Sequence, residues 1–165
     1  MLLVCAAGSG NAQLQVQLIH PKTEFNIKQA SEMLNEGNAE IKGVAYMEDR
    51  APIGLKVGET IYAQLGTVVM LFPMTAYMEE YLEIKKKNKP NKRLAAITPL
   101  AYCYRIESKV YGNRGEFIIK GLKPGKYYLE TNIQYLVGAT SQEVSGIAEI
   151  TRDGESLDFK LKRIY

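Results

Sequence analysis

The stretch Gly115-Glu116-Phe117-Ile118-Ile119-Lys120-Gly121-Leu122-Lys123-Pro124-Gly125-Lys126-Tyr127-Tyr128-Leu129 constrains this chain more than any other. Two runs rich in β-branched and aromatic residues flank a Gly-Leu-Lys-Pro-Gly turn, with apolar residues at spacing two on each side. Gly121 and Gly125 allow backbone conformations that cost other residues strain, and Pro124 fixes φ and removes a ladder donor. Beyond the turn, Tyr127, Leu129, Thr131, Ile133, Tyr135 and Val137 share one parity. Tyr128, Glu130, Asn132, Gln134 and Leu136 share the other. The stretch predicts a hairpin-like corner of a small antiparallel sandwich, with one face of the second strand turned to the core.

The remaining segments fit the same architecture. Gln13 to Leu18 alternates and Pro21 ends it, as in a strand or extended arm. Ile27, Ala30 and Leu34 recur at helical spacing before Gly37, a stop signal. Ala39 to Glu48 returns to strand character, and the Pro- and Gly-bearing stretch from Asp49 to Gly58 reads as a loop. Thr67 to Phe72 is an apolar run expected to be a buried central strand, and Thr75 can cap a second helix. Tyr77, Met78, Tyr81, Leu82 and Ile84 form one stripe of that helix, with Glu79, Glu80 and Glu83 facing away. Strands resume at Tyr102–Val110, Glu116–Lys120, Lys126–Val137 and Gly146–Thr151. Asp153-Gly154 signals a hairpin before a last alternating run through Leu157, Phe159 and Leu161. The sum is an all-β, antiparallel, seven- to eight-stranded Greek-key sandwich with two short helices.

At 165 residues the chain is long enough for one domain with a real core. No apolar run approaches the roughly 20 residues a transmembrane helix needs. Met1 to Ala12 resembles the second half of a secretory signal, with cleavage after Ala12 and the missing positive segment upstream of the recorded start. The expectation is export, to the periplasm or beyond; the competing reading is a frayed cytoplasmic N-terminus. Cys5 offers a lipid anchor, although Val4 stands where a small residue is wanted. Residues 1–12 are thus read as a signal remnant, 13–38 as an arm with a short helix, and 39–165 as the sandwich domain. Once the signal is gone Cys103 is left alone, without a disulfide partner and expected to be buried in a strand.

Charge is localised. Lys85, Lys86, Lys87, Lys89, Lys92 and Arg93 are six of the 21 basic residues, and the rest of the chain holds 15 basic against 18 acidic. This basic loop follows Tyr77 and Tyr81 and could engage anionic glycans, phosphates or lipid headgroups. The competing reading is favourable termination of a helix and a solvated loop. Nucleic acid is disfavoured by export and by the acidic remainder. Tyrosine, at 11 residues, outnumbers phenylalanine, at four, and Tyr128 stands opposite in parity to the core set. That parity makes Tyr128 the first tyrosine to test for ligand contact.

With these elements placed, the chain resembles the carboxypeptidase regulatory-like modules, which share the prealbumin (transthyretin-like) sandwich. Three pieces carry the resemblance: Ala39-Glu40-Ile41-Lys42-Gly43-Val44-Ala45; Val68 to Phe72 followed by Pro73-Met74-Thr75-Ala76-Tyr77; and the Gly115–Tyr127 motif. It implies an extracytoplasmic, non-catalytic interaction module for a protein or an envelope polymer, with no cofactor. The alternative is a small-molecule or anionic-glycan binder using the Tyr77–Arg93 region. Enzymes on the same sandwich are poorly matched: hydroxyisourate hydrolases use several histidines and a C-terminal Tyr-Arg-Gly-Ser. This chain has only His20 and ends Lys162-Arg163-Ile164-Tyr165. Intradiol dioxygenases need two histidines for iron, and an ordinary zinc site also needs more His and Cys than are present. No phosphate loop occurs and no catalytic serine elbow.

Overall fold

The computed structural model describes residues 16–50, 53, 55–135 and 140–164. The signal-like segment, its cleavage position and Cys5 lie outside them. In chain order the elements are β1 (Gln17–Ile19), α1 (Ile27–Leu34), β2 (Ala39–Arg50), β3 (Lys56–Tyr62), β4 (Val68–Pro73) and α2 (Ala76–Lys85). There follow β5 (Arg93–Ala95), α3 (Pro99–Cys103), β6 (Ile106–Lys109), β7 (Glu116–Leu122), β8 (Gly125–Tyr135), β9 (Thr140–Ile150) and β10 (Ser156–Ile164). The fold is a β-sandwich with short helices.

One sheet is organised around β2. Strand β10 runs parallel to it from Glu40 to Glu48, while β7 pairs antiparallel with Ala39–Val44 and β3 with Tyr46–Arg50. The other sheet has the order β6-β4-β8-β9 and is antiparallel throughout. Between the sheets lie Ile41, Leu71, Phe117, Ile119, Leu129 and Ile133, all within 2% of full burial. At roughly 25 cal/mol per Å² of apolar surface removed from water, such a layer supplies the dominant driving force for folding.

The motifs of the sequence have physical causes here. Gly43 lies opposite Phe117 in the β2–β7 register, and a Cβ on Gly43 would sit 2.0 Å from the Phe117 ring. The glycine makes room for the ring. Gly121 adopts φ +75°, which favours glycine, and Leu122 after it is fully buried. The Tyr127 hydroxyl donates to the Lys123 carbonyl at 2.8 Å, with the Met33 carbonyl of α1 at 3.1 Å. One buried tyrosine thus ties the turn to the first helix.

Several expectations are corrected. The Gly121–Gly125 turn carries the chain from one sheet to the other, because β7 bonds to β2 while β8 bonds to β4 and β9. Asp153-Gly154 likewise joins strands of different sheets instead of closing a hairpin; Asp153 accepts from the Asn38 amide and side chain. The segment read as a strand from Tyr102 begins as α3, because Thr98 caps it and Pro99 opens its first turn; the strand starts only at Ile106. Cys103 is exposed as a result, not buried. Part of the Asp49–Gly58 loop is strand, where β2 ends and β3 begins. The β2–β10 pairing is parallel, and so is the short β1–β5 ribbon. Among the described residues there are ten strands and three helices, against the expected seven or eight and two.

Candidate functional site

The sheet face turned away from the sandwich interior is covered by α2 and α3. Thr75 starts α2, its hydroxyl accepting from the Met78 amide, and Tyr77, Met78 and Tyr81 pack onto Phe72 and Tyr128. Tyr77, Tyr81 and Lys85 stand four residues apart, on one helix face. That stripe ends over β8, where the alternate parity presents Tyr128 and Glu130.

Lys85 is the centre of the arrangement. Its Nζ donates to the Tyr128 hydroxyl at 2.9 Å and to Glu130 Oε2 at 2.8 Å, and it pairs with Glu143 Oε1 at 2.9 Å. An ammonium has three donors, so all are used. The Tyr128 hydroxyl in turn donates to Glu130 Oε2 at 2.9 Å. The Lys85 ammonium also lies 5.5 Å from the centre of the Tyr81 ring and 5.3 Å from that of Tyr128. Burial alone would lower the Lys85 pKa, but the Glu130 carboxylate and the Tyr128 phenol outweigh it and hold the ammonium above its ordinary value. Burial, and then the Glu130 carboxylate, push the Tyr128 phenol up. Burial also raises Tyr81.

A groove of about 730 Å³ opens above this cluster, with Lys85, Tyr128 and Glu143 at its base. Lys86 and Pro90, beyond α2, line one side, and Gln142, Ser145 and Ile147 of β9 the other. The size lies within the usual range for ligand clefts. Ile147 is 51% exposed and gives the groove an apolar side chain.

The expected site residues divide. Tyr81, Lys85 and Tyr128 come together, and Lys86 joins them at the rim. Tyr77 does not: it is buried, its hydroxyl accepting from the Thr98 amide at 2.8 Å and contacting the Thr98 hydroxyl at 3.2 Å. Tyr128, opposite in parity to the core set, is nevertheless only 3% exposed, because α2 covers that face. Lys86 pairs with Glu83. Lys87, Lys89, Lys92 and Arg93 form a compact turn, in which Arg93 Nε donates to the Lys87 carbonyl at 3.0 Å and the Lys89 amide to the Arg93 carbonyl at 2.9 Å. Lys87 and Arg93 line a separate small pocket of about 160 Å³ with Ile19 and Leu94.

The sequence reading missed Glu130, Glu143, Gln142 and Ser145. Glu130 had a usable signal, since it shares the parity of Tyr128 two residues away. The others lie on β9, which begins at Thr140, earlier than the Gly146 expected from the pattern. Among the described residues no three or more His, Cys, Asp or Glu side chains gather as a metal site, and no helix is long and apolar enough to cross a membrane.

No protein-family model and no curated protein sequence matches the chain. Among solved structures it is similar to a Pseudomonas aeruginosa protein whose carbohydrate-binding role is itself a provisional assignment. The TM-score is 0.61 at 18% identity, covering 86% of this chain and 99% of that one. It is also weakly similar to the pilus 2b backbone protein of group B streptococcus, with a TM-score of 0.30 at 17% identity over 78% of this chain and 41% of that one. The first likeness is one of fold: a β-sandwich shared over nearly the whole of the neighbour.

Proposed function

We propose that the chain is a non-catalytic, extracytoplasmic interaction module of the carboxypeptidase regulatory-like kind, which holds an envelope polymer or a protein in the groove between the end of α2 and β9. The observation that carries this reading is the groove itself. It is broad, and the ionised groups at its base, Lys85 and Glu143, are bonded to each other, with Glu130 also on Lys85, instead of converging on a point where a reacting atom could sit. The carbohydrate assignment of the Pseudomonas protein belongs to that protein, and it is compatible with a polymer in this position. Of the basic loop, Lys85 is committed to two carboxylates, which weakens the case for an anionic glycan seated on it.

Retention of the purified chain on insoluble envelope polymer, or on envelope protein extracts, tests the reading. The chain should be retained, and Ser145→Trp, which fills the groove from β9, should abolish retention. Undiminished retention of that variant would overturn the groove as the seat. Release of soluble fragments by the wild type would overturn the non-catalytic assignment. N-terminal sequencing of the exported form should begin near Gln13, and recovery of the intact N-terminus in the cytoplasm would refute export.

A further inference from the structure

We propose that the groove takes an uncharged, hydroxyl-rich ligand, a stretch of neutral oligosaccharide, with Glu143 as its central hydrogen-bond acceptor. The inference rests on the groove being the binding seat. Its ground is the charge balance of the walls. Lys85 and Lys86 line the groove, and three carboxylates are in place against them: Glu130 and Glu143 on Lys85, and Glu83 on Lys86. An entering anion seeking Lys85, whose side chain is only 18% exposed, would have to displace Glu130 or Glu143 and leave that carboxylate without its cation. An entering cation would find Glu130 and Glu143 already engaged by Lys85, and Glu83 by Lys86. An uncharged ligand carrying both donors and acceptors disturbs neither arrangement.

The polar groups present suit such a ligand. Asn88 Oδ1 accepts from the Ala95 amide at 2.6 Å, so its amide nitrogen is the part left to donate into the groove it lines. Gln142 offers both a donor and an acceptor, and Ser145 a hydroxyl. Glu143 is held by Lys85 through one oxygen and remains 39% exposed, so it can take a hydroxyl proton in a charge-assisted bond. Ile147 supplies an apolar patch beside them, of the kind that the C–H face of a pyranose ring covers. Lys85 acts here as a positioning residue. It fixes Glu143 without having a donor to spare for the ligand.

The test is titration of the isotopically labelled full chain with cellohexaose, maltohexaose and mannohexaose, and separately with hexagalacturonate, following backbone amide resonances. At least one neutral hexasaccharide should shift Gln142, Ser145 and Ile147, with an affinity that changes by less than about twofold between roughly 20 and 500 mM salt. Glu143→Gln should weaken that binding about tenfold, with the Leu129 and Ile133 resonances unchanged as a check on folding. Ser145→Trp should abolish it should the first variant prove unstable. Failure of all three neutral sugars to shift these residues overturns the inference, as does salt-sensitive binding of hexagalacturonate alone. In either case the groove reading stands if Ser145→Trp still abolishes retention on envelope polymer; if it does not, both fall.

Discussion

The two apolar clusters on opposite faces of the β6-β4-β8-β9 sheet are built from different materials. The inner one is mostly aliphatic around the Phe117 ring, and the polar groups buried with it are tied to backbone: the Tyr127 hydroxyl to Lys123, and the Thr131 hydroxyl to the Val68 carbonyl at 2.7 Å. The outer one joins Phe72 and Met78 to Tyr77, Tyr81 and Tyr128, and at its margin places an ammonium and two carboxylates. Strand β8 serves both, with Leu129 and Ile133 turned inward and Tyr128 and Glu130 outward. One parity of a single strand therefore carries shape, and the other carries directed polar chemistry. Substitutions on the two faces should separate folding from binding.

The sharpest separation is expected inside. Phe117→Ala should cost about 3–5 kcal/mol in urea denaturation, the usual range for a fully buried ring. Gly43→Ala should cost about 1–3 kcal/mol by forcing that same ring aside. A destabilisation by Phe117→Ala no larger than that of an outer-face change would break the comparison, since the inner layer would then not be the principal store of stability.

Lys85→Met tests the outer face. Removal of one partner from a buried ion pair is strongly destabilising, but Lys85 and Glu143 are partly solvated here, so a smaller loss of about 1–3 kcal/mol is expected. Adding Glu130→Gln should recover part of it by removing the carboxylate left behind. The pH dependence has a definite sign. Lys85 and Tyr128 both hold their protons more tightly in the folded chain than in the unfolded one. Their contribution is complete below the ordinary values near pH 10 and is lost as pH rises through the higher folded values. Wild-type stability should therefore fall above about pH 10 more steeply than that of Lys85→Met. Parallel curves would show that the Lys85 proton contributes nothing to stability.

The two faces also differ in how much of them the sequence discloses. Alternation from Tyr127 to Ile133, and the Ile41-x-Gly43 and Gly115-x-Phe117-x-Ile119 patterns, identify the inner layer because burial of alternate residues is a local, period-two signal. The outer cover is a tertiary event. Nothing within β8 says that α2 will lie over Tyr128, so parity alone places that tyrosine in water. Sheet membership is similarly non-local: a Gly-rich turn marks a reversal of the chain, but not whether the next strand pairs with the previous one or crosses to the opposite sheet. That is why both the Gly121–Gly125 and Asp153-Gly154 turns are misread as hairpin-like. Lys85 is visible as a charge, whereas the partners that neutralise it, Glu130 and Glu143, lie 45 and 58 residues further along the chain.

Next in size comes the cap of the covering helix. Thr75→Ala removes the acceptor of the Met78 amide and should cost about 1 kcal/mol. If α2 is what encloses the outer cluster, the tyrosine fluorescence of Thr75→Ala should change well before global unfolding in a denaturant titration. A single coincident transition would instead mean that the helix and the sheets melt as one unit.

The smallest effect is expected at Glu80, where the outer layer meets the N-terminal arm. Its two carboxylate oxygens accept from consecutive backbone amides, Lys22 at 3.0 Å and Thr23 at 2.8 Å. These bonds hold its pKa down at about 2. The arm is also fixed by β1 pairing with β5, by Phe25 against the Tyr77 and Tyr104 rings and by the Met33 carbonyl on Tyr127, so Glu80 is one of several fastenings and the one on the solvent side of α2. Glu80→Gln keeps one acceptor and loses the charge, and it should leave the denaturation midpoint nearly unchanged. Hydrogen exchange at the Lys22 and Thr23 amides should nevertheless quicken severalfold while that in β8 does not. Because the folded value is depressed, the latch should be intact above the ordinary carboxylate range near pH 4.3 and should loosen as pH falls toward 2. Equal exchange in wild type and variant would place the anchorage of this part of the arm in the β1–β5 ribbon and in Phe25 against the outer cluster, with Glu80 contributing nothing.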